Sequence, residues 1–181
     1  MRIERRFTRT GQDAYSGIEF KTTTSEIRNP DGTRVFHLPD IEVPAEWSQV
    51  ACDILAQKYF RKAGVPRKLK PVAEVDVPPW LWRRTADDAA LAELMPERRV
   101  GSETSAKQVF DRLAGTWAYW GWKGGYFDQE QDARAFYDEM RHMLARQMAA
   151  PNSPQWFNTG IHWAYGIDGP AQGHYYVDYR S

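Results

Sequence analysis

Residue types that could perform chemistry are concentrated in residues 149–160, which read AAPNSPQWFNTG. Asn152 and Ser153 lie between two prolines, which fix the backbone. A serine held in this way presents its hydroxyl in one geometry, as a binding site for a polar ligand requires. The alternative is a helix stop followed by a turn, in which Asn and Ser side chains accept backbone hydrogen bonds while Trp156 and Phe157 anchor the loop. The residues alone favour this alternative.

Other reactive side chains lack the partners that catalysis or metal binding requires. The single cysteine, Cys52, lies on the flank of an apolar helical stripe with no base nearby. We therefore predict that it packs as a small apolar residue and is not a nucleophile. The four histidines form neither an HExxH motif nor a Cys/His pair at zinc spacing, so we predict structural or solvated roles for them. The residues thus indicate no catalytic residue and no metal site.

Three further patterns are weak signals. The residue types of a catalytic triad are present in Ser153, His162 or His174, and Asp168 or Asp178. We reject it because no GxSxG elbow surrounds the serine. The glycine-rich residues 121–127 and 165–174 match neither a P-loop nor a dinucleotide-binding motif. Residues 58–70 carry six cations and no acid, which allows phosphate binding but is more typical of a helix C-terminus followed by a solvated loop.

Composition excludes several classes of function. The 24 basic residues balance the 24 acidic ones, so the charge does not favour binding to nucleic acid or to an anionic membrane. No apolar run approaches the ~20 residues that span a bilayer. The charged N-terminus lacks the apolar stretch of a secretory signal. Because one cysteine cannot form an internal disulfide, we predict a cytoplasmic protein.

The elements around these residues begin with a β-hairpin. Residues 15–28 and 33–38 have strand character and flank the sequence NPDG. Proline, aspartate and glycine supply a fixed φ, a side-chain acceptor and a position that tolerates positive φ. This combination predicts two antiparallel strands joined by a tight turn.

A long amphipathic helix is predicted next, over residues 43–64. Pro44 lies at its start and Gly64 lies just past its end, which is the usual asymmetry of helix termini. Apolar residues recur at helical spacing and predict one buried face. That face consists of Trp47, Val50, Ala51, Ile54, Leu55 and Tyr59.

Two more helices are predicted towards the C-terminal half. The first covers residues 105–119, and the second begins at Asp128, with Gln131 placed as in a capping box, and ends before Pro151. The proline-rich residues 65–104 are predicted to be an extended connection with a short helix capped by Thr85.

These elements predict an α+β fold that is mainly helical. A β-hairpin is followed by three or four helices in residues 1–150. Residues 151–181 form a separate C-terminal part, in which QGHYYVDYRS has strand character but no later strand to pair with.

The sequence NSPQWFN is similar to the NSP-x-x-FN signature of ribonucleotide reductases. Within that superfamily, the chain resembles the adenosylcobalamin-dependent class II enzymes over nearly its whole length. The resemblance is carried by QKYFRKAGVP, ETSAKQVFDRLAGTW, WGWKGGYF and PNSPQWFNTGIHWAYGIDGPAQGHYYVD.

The resemblance implies reduction of ribonucleotides to 2′-deoxyribonucleotides for DNA synthesis. In the family, homolysis of the cobalt–carbon bond of adenosylcobalamin produces a cysteine thiyl radical, and a cysteine pair that thioredoxin-like donors restore delivers the electrons. The resemblance is also compatible with binding of nucleotide effectors and with a homodimer. It implies that residues 151–181 begin the family's α/β barrel and that Ser153, and less strongly Asn152, contacts the substrate.

The chain departs from the family in its cysteines. The radical and redox cysteines of the family lie beyond the NSP segment, and Cys52 lies in none of their motifs. The resemblance therefore implies the N-terminal part of a much longer enzyme. One alternative is a non-catalytic module that packs on a separately encoded catalytic chain through exposed aromatic residues at Trp156, Trp163 and Tyr175. Another is an unrelated, aromatic-rich ligand-binding domain.

We expect the isolated 181-residue chain to catalyse no ribonucleotide reduction, because it lacks the cysteines that carry the radical and the electrons. The measurement is deoxyribonucleotide formation with adenosylcobalamin and a dithiol. Turnover above the protein-free control would show that this interpretation of the cysteines is wrong.

Overall fold

The computed structural model describes residues 1–168 and begins with the predicted hairpin. Strand β1 (Phe20–Arg28) pairs antiparallel with β2 (Arg34–Pro44), and a register shift lies between Thr23 and Ser25. The turn uses Gly32 at φ +86°, as a position tolerant of positive φ allows. The hairpin is therefore confirmed, although β1 starts later and β2 runs further than predicted.

The first helix is shorter than predicted. Helix α1 (Gln49–Ile54) continues as a π-helical turn (Leu55–Tyr59), and the Ser48 side chain caps its N-terminus by accepting a hydrogen bond from the Ala51 amide. The start predicted at Pro44 is wrong, because Pro44 is the last residue of β2.

The predicted buried face of this helix is also partly wrong. Val50 and Ile54 are 68% and 42% exposed, whereas Cys52 and Leu55 are 0% and 2% exposed. The helix turns the Cys52 side towards β2 and the next long helix, where these residues join the main apolar cluster. Periodicity alone did not distinguish between the two adjacent apolar faces.

Residues 65–101 form short pairings rather than a wholly extended connection. Strands β3 (Val65–Pro66) and β6 (Val100–Gly101) pair, as do β4 (Leu69–Pro71) and β5 (Arg84–Ala86). Helix α2 (Asp88–Ala92) lies between β5 and β6, and single 3-10 turns cover Pro79–Leu81 and Pro96–Arg98.

The predicted cap of α2 is wrong by two residues. Thr85 belongs to β5, and the Asp87 side chain instead accepts a hydrogen bond from the Ala90 amide.

The two long helices pack against each other. Helix α3 (Ala106–Lys123) has the capping box Ser105/Gln108 and continues past the predicted end at residue 119. Its glycine at position 121 does not end the helix, and the ring of Phe127 occupies the space that a side chain there would take. Helix α4 (Glu130–Ala145) begins two residues after Asp128, so the predicted start is displaced.

The segment predicted as a loop contains two short helices. Helix α5 (Ser153–Asn158) begins at the candidate serine with Asn152 at its N-cap, and α6 (Ile161–Tyr165) follows after Gly160. Proline is compatible with a helix in its first turn, which is why Pro154 did not prevent α5 from forming.

The α+β class with its N-terminal hairpin is confirmed, and residues 1–168 contain more helices than the three or four predicted because of α5 and α6. The predicted strand of residues 172–181 lies outside the described residues, and the predicted start of a barrel, residues 151–181, lies partly outside them. None of the helices in residues 1–168 is both long and apolar enough to span a membrane.

Helix α3 lies between two apolar clusters. Its residues Val109, Phe110 and Leu113 belong to a cluster with the hairpin and α1. Its residue Ala118 belongs to a second cluster with Trp163 of α6 and the loops of residues 65–82. The positions of α5 and α6 are therefore set by α3 together with the π-helical turn and β5.

The matched substitutions Val109→Ala and Val50→Ala test which helix faces are buried. Val109 is 0% exposed and Val50 is 68% exposed. We expect Val109→Ala to lower the free energy of unfolding by about 1.5–3 kcal/mol, since a buried valine side chain is removed from the core. Val50→Ala should change it by less than about 0.5 kcal/mol. Chemical denaturation followed by tryptophan fluorescence measures both, and equal losses would contradict the described packing.

Candidate functional site

Ser153 and Asn152 lie at the exposed N-terminal end of α5. The Ser153 Oγ is 3.1 Å from the hydroxyl of Tyr59, the last residue of the π-helical turn. Asn152 is the N-cap residue, but its side chain makes no capping hydrogen bond. The structure therefore brings the two predicted site residues together beside a tyrosine, with polar groups facing solvent.

Aromatic contacts hold α5 against the π-helical turn. Trp156 is 7% exposed and stacks on the Tyr59 ring, with centroids 5.3 Å apart and planes 13° from parallel. Phe157 contacts the same ring at 5.7 Å, and Phe110 of α3 meets the Trp156 ring edge-on at 6.5 Å. The anchoring role predicted for Trp156 and Phe157 is confirmed, although the segment that they anchor is a helix.

A buried arginine of α3 holds the C-terminal end of α5. The Arg112 side chain is 0% exposed and forms a salt bridge with Glu103, whose side chain is also 0% exposed, at 2.8 Å. Its remaining donors go to the carbonyl oxygens of Trp156 (2.8 Å), Thr159 (2.8 Å) and Tyr59 (3.0 Å). One guanidinium therefore joins α3, the π-helical turn and the corner after α5.

The carboxylate of Glu103 has two partners besides Arg112. It accepts hydrogen bonds from the Arg61 amide at 2.7 Å and from the Tyr165 hydroxyl at 2.7 Å. Burial and the neighbouring Glu103 charge raise the pKa of Tyr165 well above its usual value, so the phenol stays protonated and donates. Because every charge is paired in this way, the network satisfies the condition under which a buried ion pair is tolerated.

Gly160 allows the chain to pass close to α3. Its φ is +87°, and a Cβ at this position would lie 2.3 Å from the Arg112 carbonyl oxygen. Only glycine fits both the left-handed backbone and the short distance. The close approach lets the Thr159 carbonyl reach the Arg112 guanidinium.

The sequence interpretation did not identify Arg112, Glu103 or Tyr59 as parts of the site, although it placed Tyr59 on a buried helix face. A signal for Arg112 was present, since it lies three residues after Val109 and next to Leu113, on the apolar face of a predicted helix. A charged residue on such a face is rarely buried without a partner. No comparable signal identified Glu103, which precedes the helix.

The cysteine and the histidine described next make packing contacts and hydrogen bonds within the chain. Cys52 is 0% exposed, and burial raises the pKa of its thiol, in agreement with the predicted packing role. His142 stacks on Phe7 and its Nδ1 lies 3.1 Å from the Ala14 carbonyl oxygen. Within residues 1–168, no group of three His, Cys, Asp or Glu side chains could hold a metal ion. His174 and Asp178 lie outside the described residues.

Part of the basic run of residues 58–70 packs within the structure. The Lys62 ammonium donates to the Ala56 carbonyl oxygen and lies 4.8 Å from the centre of the Phe36 ring. Burial lowers the pKa of this lysine. These contacts agree with the structural interpretation of the run.

Comparison with known proteins identifies one family. A family model described as class II vitamin B12-dependent ribonucleotide reductase matches residues 21–147. A vitamin B12-dependent ribonucleotide reductase of Bradyrhizobium diazoefficiens is 70% identical over 178 residues, which cover 98% of this chain and 14% of that protein. The protein of the same name from Agrobacterium fabrum has the same identity and coverage.

A more distant relative shows the same pattern. The vitamin B12-dependent ribonucleotide reductase of Rhodopirellula baltica is 29% identical over 159 residues, which cover 88% of this chain and 12% of that protein. The chain thus spans about 14% of the length of the curated relatives that it matches at 70% identity.

Replacing Arg112 by methionine tests the buried network. We expect Arg112→Met to lower the free energy of unfolding by about 3–5 kcal/mol, because Glu103 would remain as a buried charge without its partner. The matched control is Arg134→Met, since Arg134 is 51% exposed and its partners, Glu130 in an i,i+4 pair and the Trp80 ring at 4.5 Å, lie at the surface. That change should cost less than about 1 kcal/mol.

Chemical denaturation of the two variants measures both values. Similar small losses for Arg112→Met and Arg134→Met would show that the buried pair does not organise the segment.

Proposed function

The chain belongs to the class II vitamin B12-dependent ribonucleotide reductases, and on this basis we propose that it is the N-terminal part of an enzyme that converts ribonucleotides to 2′-deoxyribonucleotides. The observation that carries the proposal is the 70% identity over 98% of the chain to proteins of that name. Such identity over the whole length makes an unrelated ligand-binding domain untenable.

The proposal assigns the radical and electron-transfer chemistry to polypeptide outside residues 1–168. Cys52 is fully buried and burial raises the pKa of its thiol, so it can neither reach a substrate nor exchange with a dithiol reductant. The residues described here offer no thiol fitted to radical transfer from adenosylcobalamin. When bound to the full enzyme, that cofactor would supply the radical, and this chain would position the substrate.

Ser153 is the residue that we propose for substrate contact, with Asn152 as a weaker candidate. Its hydroxyl is exposed, and the Tyr59 hydroxyl lies beside it at 3.1 Å. Stacking of the Trp156 ring on Tyr59 and the Arg112 hydrogen bonds to the Trp156 and Thr159 carbonyl oxygens restrict movement of the helix. A hydroxyl held on a fixed element can bind a ribonucleotide without a large entropic cost.

Further parts of the proposal concern the whole enzyme. We place the start of the catalytic barrel at residue 151, after the N-terminal region of residues 1–150. A thioredoxin-like reductant, nucleotide effectors and a homodimer belong to the same proposal, as does a cytoplasmic location. They are supported by membership of the family, to which this chain contributes about 14% of the length of its relatives.

The alternative of a separate interaction module has lost its main structural support. That alternative predicted an exposed aromatic patch that included Trp156 and Trp163. Both side chains are only 7% exposed, because they pack within this chain. Tyr175, the third residue of the predicted patch, lies outside the described residues.

Ser153→Ala in the full-length enzyme tests the proposed contact. We expect kcat/KM for the ribonucleotide to fall roughly tenfold, because a hydrogen bond to a polar or charged substrate group is lost. The measurement is steady-state deoxyribonucleotide formation with adenosylcobalamin and a dithiol.

Ser102→Ala is a suitable control, since none of the described residues hydrogen-bonds with its side chain. It should leave kcat/KM unchanged. If Ser153→Ala also behaved like the native enzyme, Ser153 would have no part in substrate binding, although membership of the family would stand.

A further inference from the structure

A recess lies at the C-terminal end of α5, at the opposite end of the helix from Ser153. Its volume is about 360 Å³, and we name it the Thr116 recess. It lies where α3, the corner between α5 and α6, and β5 meet. The side chains used below are those of Arg83, Thr116, Trp120, Asn158 and His162.

Two buried polar atoms of the recess have no hydrogen-bond partner among the described residues. They are the Thr116 hydroxyl oxygen and the Asn158 side-chain carbonyl oxygen. Thr116 is 3% exposed, and its side chain lines the recess. Buried polar groups are almost always satisfied, and an unsatisfied one at a cavity wall indicates a ligand or a bound solvent molecule.

The charge of the recess favours a negative ligand. None of the described residues that line it is acidic, whereas Arg83 and His162 provide a guanidinium and an imidazole. The Arg83 Nε lies 3.5 Å from Glu74, but Glu74 also pairs with Lys123 at 2.8 Å. The other nitrogens of the Arg83 guanidinium have no partner in the described part of the chain.

Two neutral side chains of the recess can also donate hydrogen bonds to an anion. The Thr116 hydroxyl can donate to an anion, and rotation of the Asn158 amide by half a turn would present its NH₂ group in place of the oxygen. The indole of Trp120 is 53% exposed at the wall of the recess and covers one side of it. A metal cation is a poor ligand for the recess, because Arg83 would repel it and no carboxylate of the described residues lines the recess. Water alone would not neutralise the Arg83 guanidinium.

We propose that the Thr116 recess binds an oxyanion, a phosphate or carboxylate group, through Arg83, Thr116 and Asn158. The inference does not rest on the proposed function, because it uses neither Ser153 nor the chemistry of the family. Gly160 helps to keep the recess open, since a Cβ there would lie 2.8 Å from the Thr116 hydroxyl oxygen.

The test is calorimetric titration of the full-length protein with inorganic phosphate and, separately, with acetate. Thr116→Val and Arg83→Gln should each weaken binding of the preferred anion roughly tenfold or more, because each removes a hydrogen bond to a charged group. Stronger binding of phosphate would indicate a phosphorylated ligand, and stronger binding of acetate would indicate a carboxylate.

Two controls distinguish loss of anion binding at the recess from the general effect of removing a hydroxyl and from loss of stability. Thr22→Val removes an exposed hydroxyl that has no side-chain hydrogen bond to the described residues, and it should leave the affinity unchanged. Thr116→Val should also unfold at the same temperature as the native protein or higher, because the hydroxyl that it removes is unsatisfied.

The proposal is overturned if neither anion binds, or if both anions bind Thr116→Val and Arg83→Gln as tightly as the native protein. Binding that survives in those variants but disappears in Ser153→Ala would belong to the proposed substrate contact and would likewise refute the recess as its site.

Discussion

A guanidinium that has no contact with solvent, that of Arg112, joins α3, the π-helical turn and α5 in this structure. The donors of a buried guanidinium need acceptors, because an unpaired buried charge is costly. Glu103 supplies the countercharge, and the carbonyl oxygens of Tyr59, Trp156 and Thr159 supply the rest. The three carbonyl groups lie at the ends of the π-helical turn and of α5, where helices leave carbonyl oxygens without intrahelical partners.

The hydrogen bonds of Arg112 explain how α5, the short helix that carries Ser153, is stabilised. Since α5 has only six residues, its own hydrogen bonds would not stabilise it in isolation. The helix is held because Arg112 binds its C-terminal carbonyl groups and Trp156 stacks on Tyr59 at the other side. Ser153 is therefore presented by an element whose position is set from α3, which is itself enclosed by two apolar clusters.

Parts of the structure with a strong local signal could be predicted from the sequence. The NPDG turn identified the hairpin, and the apolar periodicity of residues 105–119 identified α3. Local signals did not decide which face of α1 is buried, because Cys52 and Val50 lie on neighbouring apolar faces. They also did not reveal α5, since two prolines at a helix start resemble a turn. Arg112 and Glu103 pair through tertiary contacts, which no residue spacing specifies.

The most direct test of this account is hydrogen exchange of the backbone amides in Arg112→Met, measured in the full-length protein. If Arg112 holds α5, exchange of the amides in residues 155–166 should speed up by a larger factor than exchange of the hairpin amides between Phe20 and Pro44, which reports the loss of global stability. If exchange in α5 and α6 stayed at the native rate, the segment that carries Ser153 would be held by other contacts, and the account would be contradicted.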